Sequence, residues 1–127
     1  MNFKTSKPLK YLVHAFLALV LFSIHTHAEA KKITVGVKPG LQYDPKVLHV
    51  QPGEQVELTF DNVDEMMHNF VLVQPGARME MVEEAIALGA DGPELDYVPK
   101  SDKVIASTPV ILPGKKGTIR FEAPSKE

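Results

Sequence analysis

The chain has 127 residues, 44 % of them hydrophobic and 24 % charged, with 14 basic and 16 acidic side chains, five histidines and no cysteine. Neither sign of charge clusters, which excludes the basic footprint of a nucleic-acid binder. The length accommodates one small domain, and the missing cysteine excludes both a disulfide and a thiolate ligand within these residues.

Lys4, Lys7 and Lys10 precede a short apolar run from Tyr11 to Ile24, interrupted only by His14 and Ser23. Ala28-Glu29-Ala30 closes it with small residues in the A-x-A pattern. This layout predicts a secretory signal over residues 1–30, cleaved after Ala30. An uncleaved anchor is the weaker alternative, because a membrane span needs roughly 20 apolar residues. The domain then covers residues 31–127 and acts in the periplasm or outside the cell. Without Lys4, Lys7, Lys10 and Glu29 it carries 11 basic and 15 acidic side chains, a net charge of −4. Disulfides are common in that compartment, so a domain without them depends on burial. A domain of about this size buries only roughly 60–65 % of its unfolded surface, so it has little stability to spare.

Lys32-Ile33-Thr34-Val35-Gly36-Val37 alternates and predicts a first strand. Lys38-Pro39-Gly40 is a turn, and Leu41 to Pro45 a loop, since Pro45 biases Asp44 away from helix. Val47 to Val50 predicts a second strand. Pro52-Gly53 suits a type II turn. Gln55 to Phe60 then alternates cleanly, with Val56, Leu58 and Phe60 on one face. After the acidic turn Asp61-Asn62-Val63-Asp64-Glu65, the run from His68 to Gln74 predicts a strand apolar on both faces and covered on both sides. Arg78 to Gly89 changes to helical spacing, with Met79, Val82 and Ile86 inward, Glu80, Glu83 and Glu84 outward, and Gly89 at the C-terminal cap. Ala90 to Pro93 is loop. Val104 to Thr108 and Gly117 to Ala123 are strands, separated by a Pro113-Gly114 turn. The predicted core includes Phe60, Phe70, Val71, Ile119 and Phe121.

Short strands, frequent turn signals and a single helix predict an all-β, Greek-key β-sandwich with the helix inserted at one edge. The chemistry concentrates at Met66-Met67-His68-Asn69-Phe70-Val71, where an imidazole heads a rigid strand.

That motif resembles the first copper-ligand motif of the cupredoxins, the small blue copper proteins, in their azurin and auracyanin branch. Met79 to Gly89 is similar to that branch's helical flap. Val104 to Thr108, Pro113-Gly114 and Ile119 to Pro124 resemble the approach to the C-terminal ligand loop. The resemblance implies a sandwich holding one type 1 copper through two histidines, a cysteine thiolate and a weak axial methionine. It implies His68 as the first ligand, Asn69 as a hydrogen-bonding link between ligand loops, and the Met67 carbonyl as a weak oxygen contact. It also implies electron transfer between redox protein partners, with no enzymatic step. The other three ligands and the last two strands would follow Glu127, so the chain reads as C-terminally incomplete, with exposed apolar patches and strand edges. The alternative is an exported sandwich that binds partners without metal, or carries Cu(I) on methionine and histidine, thioethers being soft ligands. Against it, Met66 and Met67 read as loop and core packing.

The remaining candidates carry less. His49 reads as a surface or half-buried histidine rather than a ligand. Asp61, Asp64 and Glu65 lack the spacing and glycine of an EF-hand. Ser107 has no histidine placed by a hydrolase pattern, and no phosphate-binding glycine loop is present.

Overall fold

A computed structural model describes residues 29–38 and 42–125. The expected leader as far as residue 28 and the Pro39-Gly40 part of the first turn lie outside the described residues. Six strands are present: β1 (Lys31–Lys38), β2 (Gln42–Asp44), β3 (Gln55–Asp61), β4 (Val71–Val73), β5 (Val104–Ser107) and β6 (Lys116–Glu122). Between β4 and β5 lie the helix α1 (Arg78–Ala87) and a 3-10 helix over Gly89–Leu95. One sheet has the order β2-β1-β3-β6, and a second pairs β4 with β5. β3 is central: it runs parallel to β1, and antiparallel to β6 from Gln55↔Glu122 to Asp61↔Lys116.

The alternation of β3 decides which side of the sheet is core. Val56, Leu58 and Phe60 are at most 1 % exposed. On the opposite face the polar side chains pair across the ladder. Arg120 Nε donates to Glu57 Oε2 at 2.9 Å, and the hydroxyls of Thr59 and Thr118 lie 3.0 Å apart. Val35 and Val37 of β1, Phe70, Ile111 and Ala123 complete the buried cluster. Leu72, Ile119 and Phe121 pack against it half-buried. The two sheets therefore face one another across a single apolar layer, the predicted sandwich with a helical insertion. Val71, expected in that core, is half-buried on the other face of β4, toward α1.

Three Pro-Gly turns repeat one construction. Glu54 N donates to Gln51 O, Ala77 N to Gln74 O and Lys115 N to Leu112 O, at 3.0, 3.1 and 3.0 Å. Their glycines, Gly53, Gly76 and Gly114, have φ of 74°, 81° and 68°, the left-handed value that the third position of a type II turn requires.

Three expectations are corrected. Val47 to Val50 forms no strand; the edge of β1 is taken by β2, which the sequence suggested as loop. The reason is Tyr43, whose ring meets Phe60 and Phe70 edge-on at centroid distances of 6.2 and 5.4 Å. Leu48 and Val50 pack on the core without joining a ladder. Second, Ala90 to Pro93 belongs to the 3-10 helix rather than a loop. Third, α1 is rotated from the expected facing. Met81 is 4 % exposed, whereas Met79 and Ile86 are 56 % and 74 % exposed. The inward stripe is Ala77, Met81, Ala85 and Leu88, which also falls at helical spacing. Among the described residues no helix is long and apolar enough to cross a membrane.

Truncating Leu58 to alanine removes a fully buried side chain and is expected to cost about 2–5 kcal/mol. Thr59→Ala, one residue along on the paired polar face, is expected to cost under about 1 kcal/mol. Urea denaturation of both variants checks this; equal losses would contradict the assignment of faces.

Candidate functional site

At one end of the sandwich three segments converge: the turn leaving β3 (residues 62–67), the connection between β5 and β6 (108–115), and the chain following the 3-10 helix. Asn62 joins the first two. Its side chain is fully buried. Nδ2 donates to the carbonyls of Met66 and Ile111, both at 2.8 Å, and Oδ1 accepts from Asp64 N at 3.2 Å. Its backbone N–H reaches Lys115 O at 3.0 Å, and its carbonyl accepts from Gly114 N at 2.7 Å. In the sequence this residue reads only as part of an acidic turn. The available signal was an Asn directly after the best-defined strand, positioned to close an Asx turn on the residue two ahead.

His68 is mounted on that frame. Its N–H donates to Ile111 O at 3.1 Å and its carbonyl accepts from Ile111 N at 2.7 Å, an isolated antiparallel bridge. Two residues on, Phe70 N donates to Thr108 Oγ1, and Thr108 N to Phe70 O, each at 2.9 Å. The imidazole Nε2 lies 2.9 Å from Asp64 Oδ2. The His68 hydrogen bond, and after it the Glu65 backbone N–H at 2.7 Å, holds the Asp64 carboxyl below the usual aspartate range. An ionised carboxylate only accepts. Nε2 is therefore the ring nitrogen that faces the acceptor. Nδ1 makes no hydrogen bond among the described residues.

His68 opens onto a cavity of about 500 Å³ whose walls include Tyr43, Met66, Met67, Asn69 and Tyr97. Met66 and Met67, expected in loop and core packing, are 54 % and 58 % exposed at its rim. The Met67 carbonyl accepts no hydrogen bond among the described residues. Asn69 Nδ2 donates to the carbonyl of Asp96 at 2.7 Å, and Asp96 Oδ1 accepts from Val110 N at 2.8 Å. Asn69 thus links the histidine segment to the chain after the 3-10 helix. Asp96 and Tyr97 are both left-handed, with φ of 51° and 57°, a conformation that costs a non-glycine residue about 1 kcal/mol or more. The two side chains contribute to holding it. Asp96 caps Val110, and Tyr97 lies over Gly92, where a Cβ would come within 2.7 Å of the ring. Tyr43, Asn69 and Tyr97 also line a second cavity of about 380 Å³ beneath α1, with Val71, Val73 and Met81.

The other candidates lie apart. His49 is exposed, as expected, and its carbonyl accepts from Lys31 Nζ at 2.6 Å. Asp61 pairs with Lys116 at 2.7 Å, so the acidic turn is committed internally. Glu80 pairs with Lys103 at 2.6 Å.

A type 1 copper requires a thiolate and two imidazoles. The donors at His68 are one imidazole, a carboxylate and two thioethers, and among the described residues no three His, Cys, Asp or Glu side chains converge. Residues 1–127 do not by themselves fit that group.

Two measurements test the frame. Asn62→Ala strands the Met66 carbonyl and opens a small void, and is expected to cost about 2 kcal/mol or more in urea denaturation. A loss below about 0.5 kcal/mol would contradict the tie. The lowered Asp64 carboxyl stabilises the fold above the ordinary aspartate range, and that contribution disappears as pH falls through its folded value. The stability gap between the wild type and Asp64→Asn is therefore expected to shrink on acidification. A gap undiminished once the pH lies below the ordinary aspartate range would reverse the assignment.

Residues 11–92 match the family model for the cupredoxin-like domain. The fold resembles the dithionite-reduced auracyanin of Roseiflexus castenholzii at 31 % identity, covering 75 % of this chain and 77 % of that one, with a TM-score of 0.65. It resembles auracyanin A, a blue copper protein of Chloroflexus aurantiacus, at 29 % identity, covering 76 % and 80 %, with a TM-score of 0.67. An azurin of Methylomonas sp. strain J shares the fold at 24 % identity, covering 75 % and 76 %, with a TM-score of 0.60. No curated protein matches the chain by sequence.

Proposed function

The chain belongs to the cupredoxin-like domain family, and from that premise we propose that it is the scaffold of a copper electron carrier of the blue copper type. The observation that supports this most is the mounting of His68. A two-way backbone bridge fixes its main chain, a carboxylate engages one ring nitrogen, and the residue lines a cavity. Metal-ligating histidines commonly donate their other nitrogen to such a partner.

On this reading His68 supplies one imidazole, Asn69 holds the neighbouring segment in place, and the Met67 carbonyl is a weak oxygen contact. The thiolate and the other donors come from outside residues 1–127. Bound copper would supply a one-electron couple. The protein's part is to hold donors rigidly, so it performs no bond-making reaction and exchanges electrons with protein redox partners. Residues 1–30 direct export and are removed, and the domain works in the periplasm or outside the cell.

The test is the optical spectrum with Cu(II), for this chain and for the chain extended by its downstream coding sequence. An intense visible thiolate-to-copper band is expected from the extended protein only. A downstream sequence without cysteine, or an extended protein that stays colourless, would defeat the reading.

A further inference from the structure

The sulfur at the cavity rim belongs to consecutive residues beside the available imidazole. Met66 and Met67 each expose more than half of their surface, although a methionine side chain gains roughly 1.5–3 kcal/mol from full burial. Both border the same cavity as His68. Asn62 pins the Met66 carbonyl at 2.8 Å, so the backbone beneath the thioethers is fixed. The side chains keep three rotatable bonds each, so their thioethers are free to reorient within the cavity they share with His68. Asp64 adds a geometric contribution: its carboxylate engages Nε2 at 2.9 Å, which leaves Nδ1 as the ring nitrogen for a ligand and places a negative group beside the site.

We propose that Met66, Met67 and His68 form a site for a soft monovalent cation, Cu(I) or Ag(I), at the mouth of this cavity. Two neutral thioethers and an imidazole match such an ion, whereas Zn²⁺, Mg²⁺ and Ca²⁺ prefer thiolate, imidazole or oxygen donors. The site shares His68 with the electron-carrier reading but needs no thiolate, and it uses only residues of this chain. Its donor set is distinct from a type 1 centre, and since Nδ1 of His68 can serve only one ion at a time, the site belongs to the chain without type 1 copper and is tested apart from the electron-carrier reading.

Ag(I), which is soft and stays monovalent, is the probe. Titration into the chain is followed by NMR at the ε-methyls of Met66, Met67 and Met79 and at the ring nitrogens of His68. Met79 is an internal control, since it is similarly exposed on α1 but does not line the cavity. The Met66 and Met67 methyls and His68 Nδ1 are expected to shift along one binding curve while Met79 stays put. The double variant Met66→Leu, Met67→Leu conserves side-chain volume and is expected to keep its amide spectrum but bind at least about tenfold more weakly, a difference of about 1.4 kcal/mol. Methyls that do not respond, or a double variant that binds as tightly as wild type, would overturn the proposal. A response from His68 alone would also overturn it. None of these results bears on the thiolate band in the extended protein, which decides the electron-carrier reading independently.

Discussion

The buried side chain of Asn62 is the constraint on which the functional end of this sandwich depends. It leaves the central strand at Asp61 and bonds two carbonyls, one in the turn ahead of His68 and one in the connection between β5 and β6. Ile111, at the second carbonyl, also bridges His68 in both directions. A single amide thus sets the separation of the central strand, the histidine segment and the β5–β6 connection. Each of its bonds is worth only about 1 kcal/mol net, but leaving the partners bare in a dry interior costs more than the bonds contribute. That asymmetry is what makes the arrangement specific.

How much of this was legible depended on the range of the interaction. β3 and β6 could be read because strict alternation carries its own evidence of a buried face. The Pro-Gly turns could be read because their conformations are local. β2 could not, since Gln42-Tyr43-Asp44 has no apolar pattern; its pairing is decided by a ring that meets Phe60 and Phe70. The existence of α1 was clear, but its facing was not. Two apolar stripes, one through Met79 and Val82 and one through Ala77, Met81 and Ala85, competed for the interior, and packing beneath β4 chose the second. His68 stood out because the residues around it resemble a known motif. The partners that hold it did not. Asp64 looked like turn chemistry, and Ile111 lies 43 positions further along the chain.

The site's electrostatics follow from the same geometry. A histidine four residues after an aspartate in a tight turn has no fixed relation to it in an unfolded chain. Once Asn62 closes the turn, the carboxylate meets one ring nitrogen and leaves the other free. Tyr43, Met66, Met67 and Tyr97, each about half exposed, line the same cavity as His68, so one cavity has both polar and soft walls. Stability is concentrated in the layer of Val56, Leu58 and Phe60, and access is concentrated at the rim.

The central position of β3 has a consequence for the time course of folding. Its two neighbours are remote in sequence. β1 pairs with it in parallel, which no tight hairpin can achieve, and Gln55 meets Glu122 across a separation of 67 residues. Neither edge of β3 can be satisfied by a local event, so large loops must close before Leu58 and Phe60 are covered. Topologies of this kind fold in roughly milliseconds to seconds, where helical bundles take microseconds to milliseconds. During that interval the alternating run from Gln55 to Asp61 is an unpaired strand. Glu57 and Asp61, which end up in ion pairs with Arg120 and Lys116, then act as unpaired negative charges that discourage association between copies before β6 arrives.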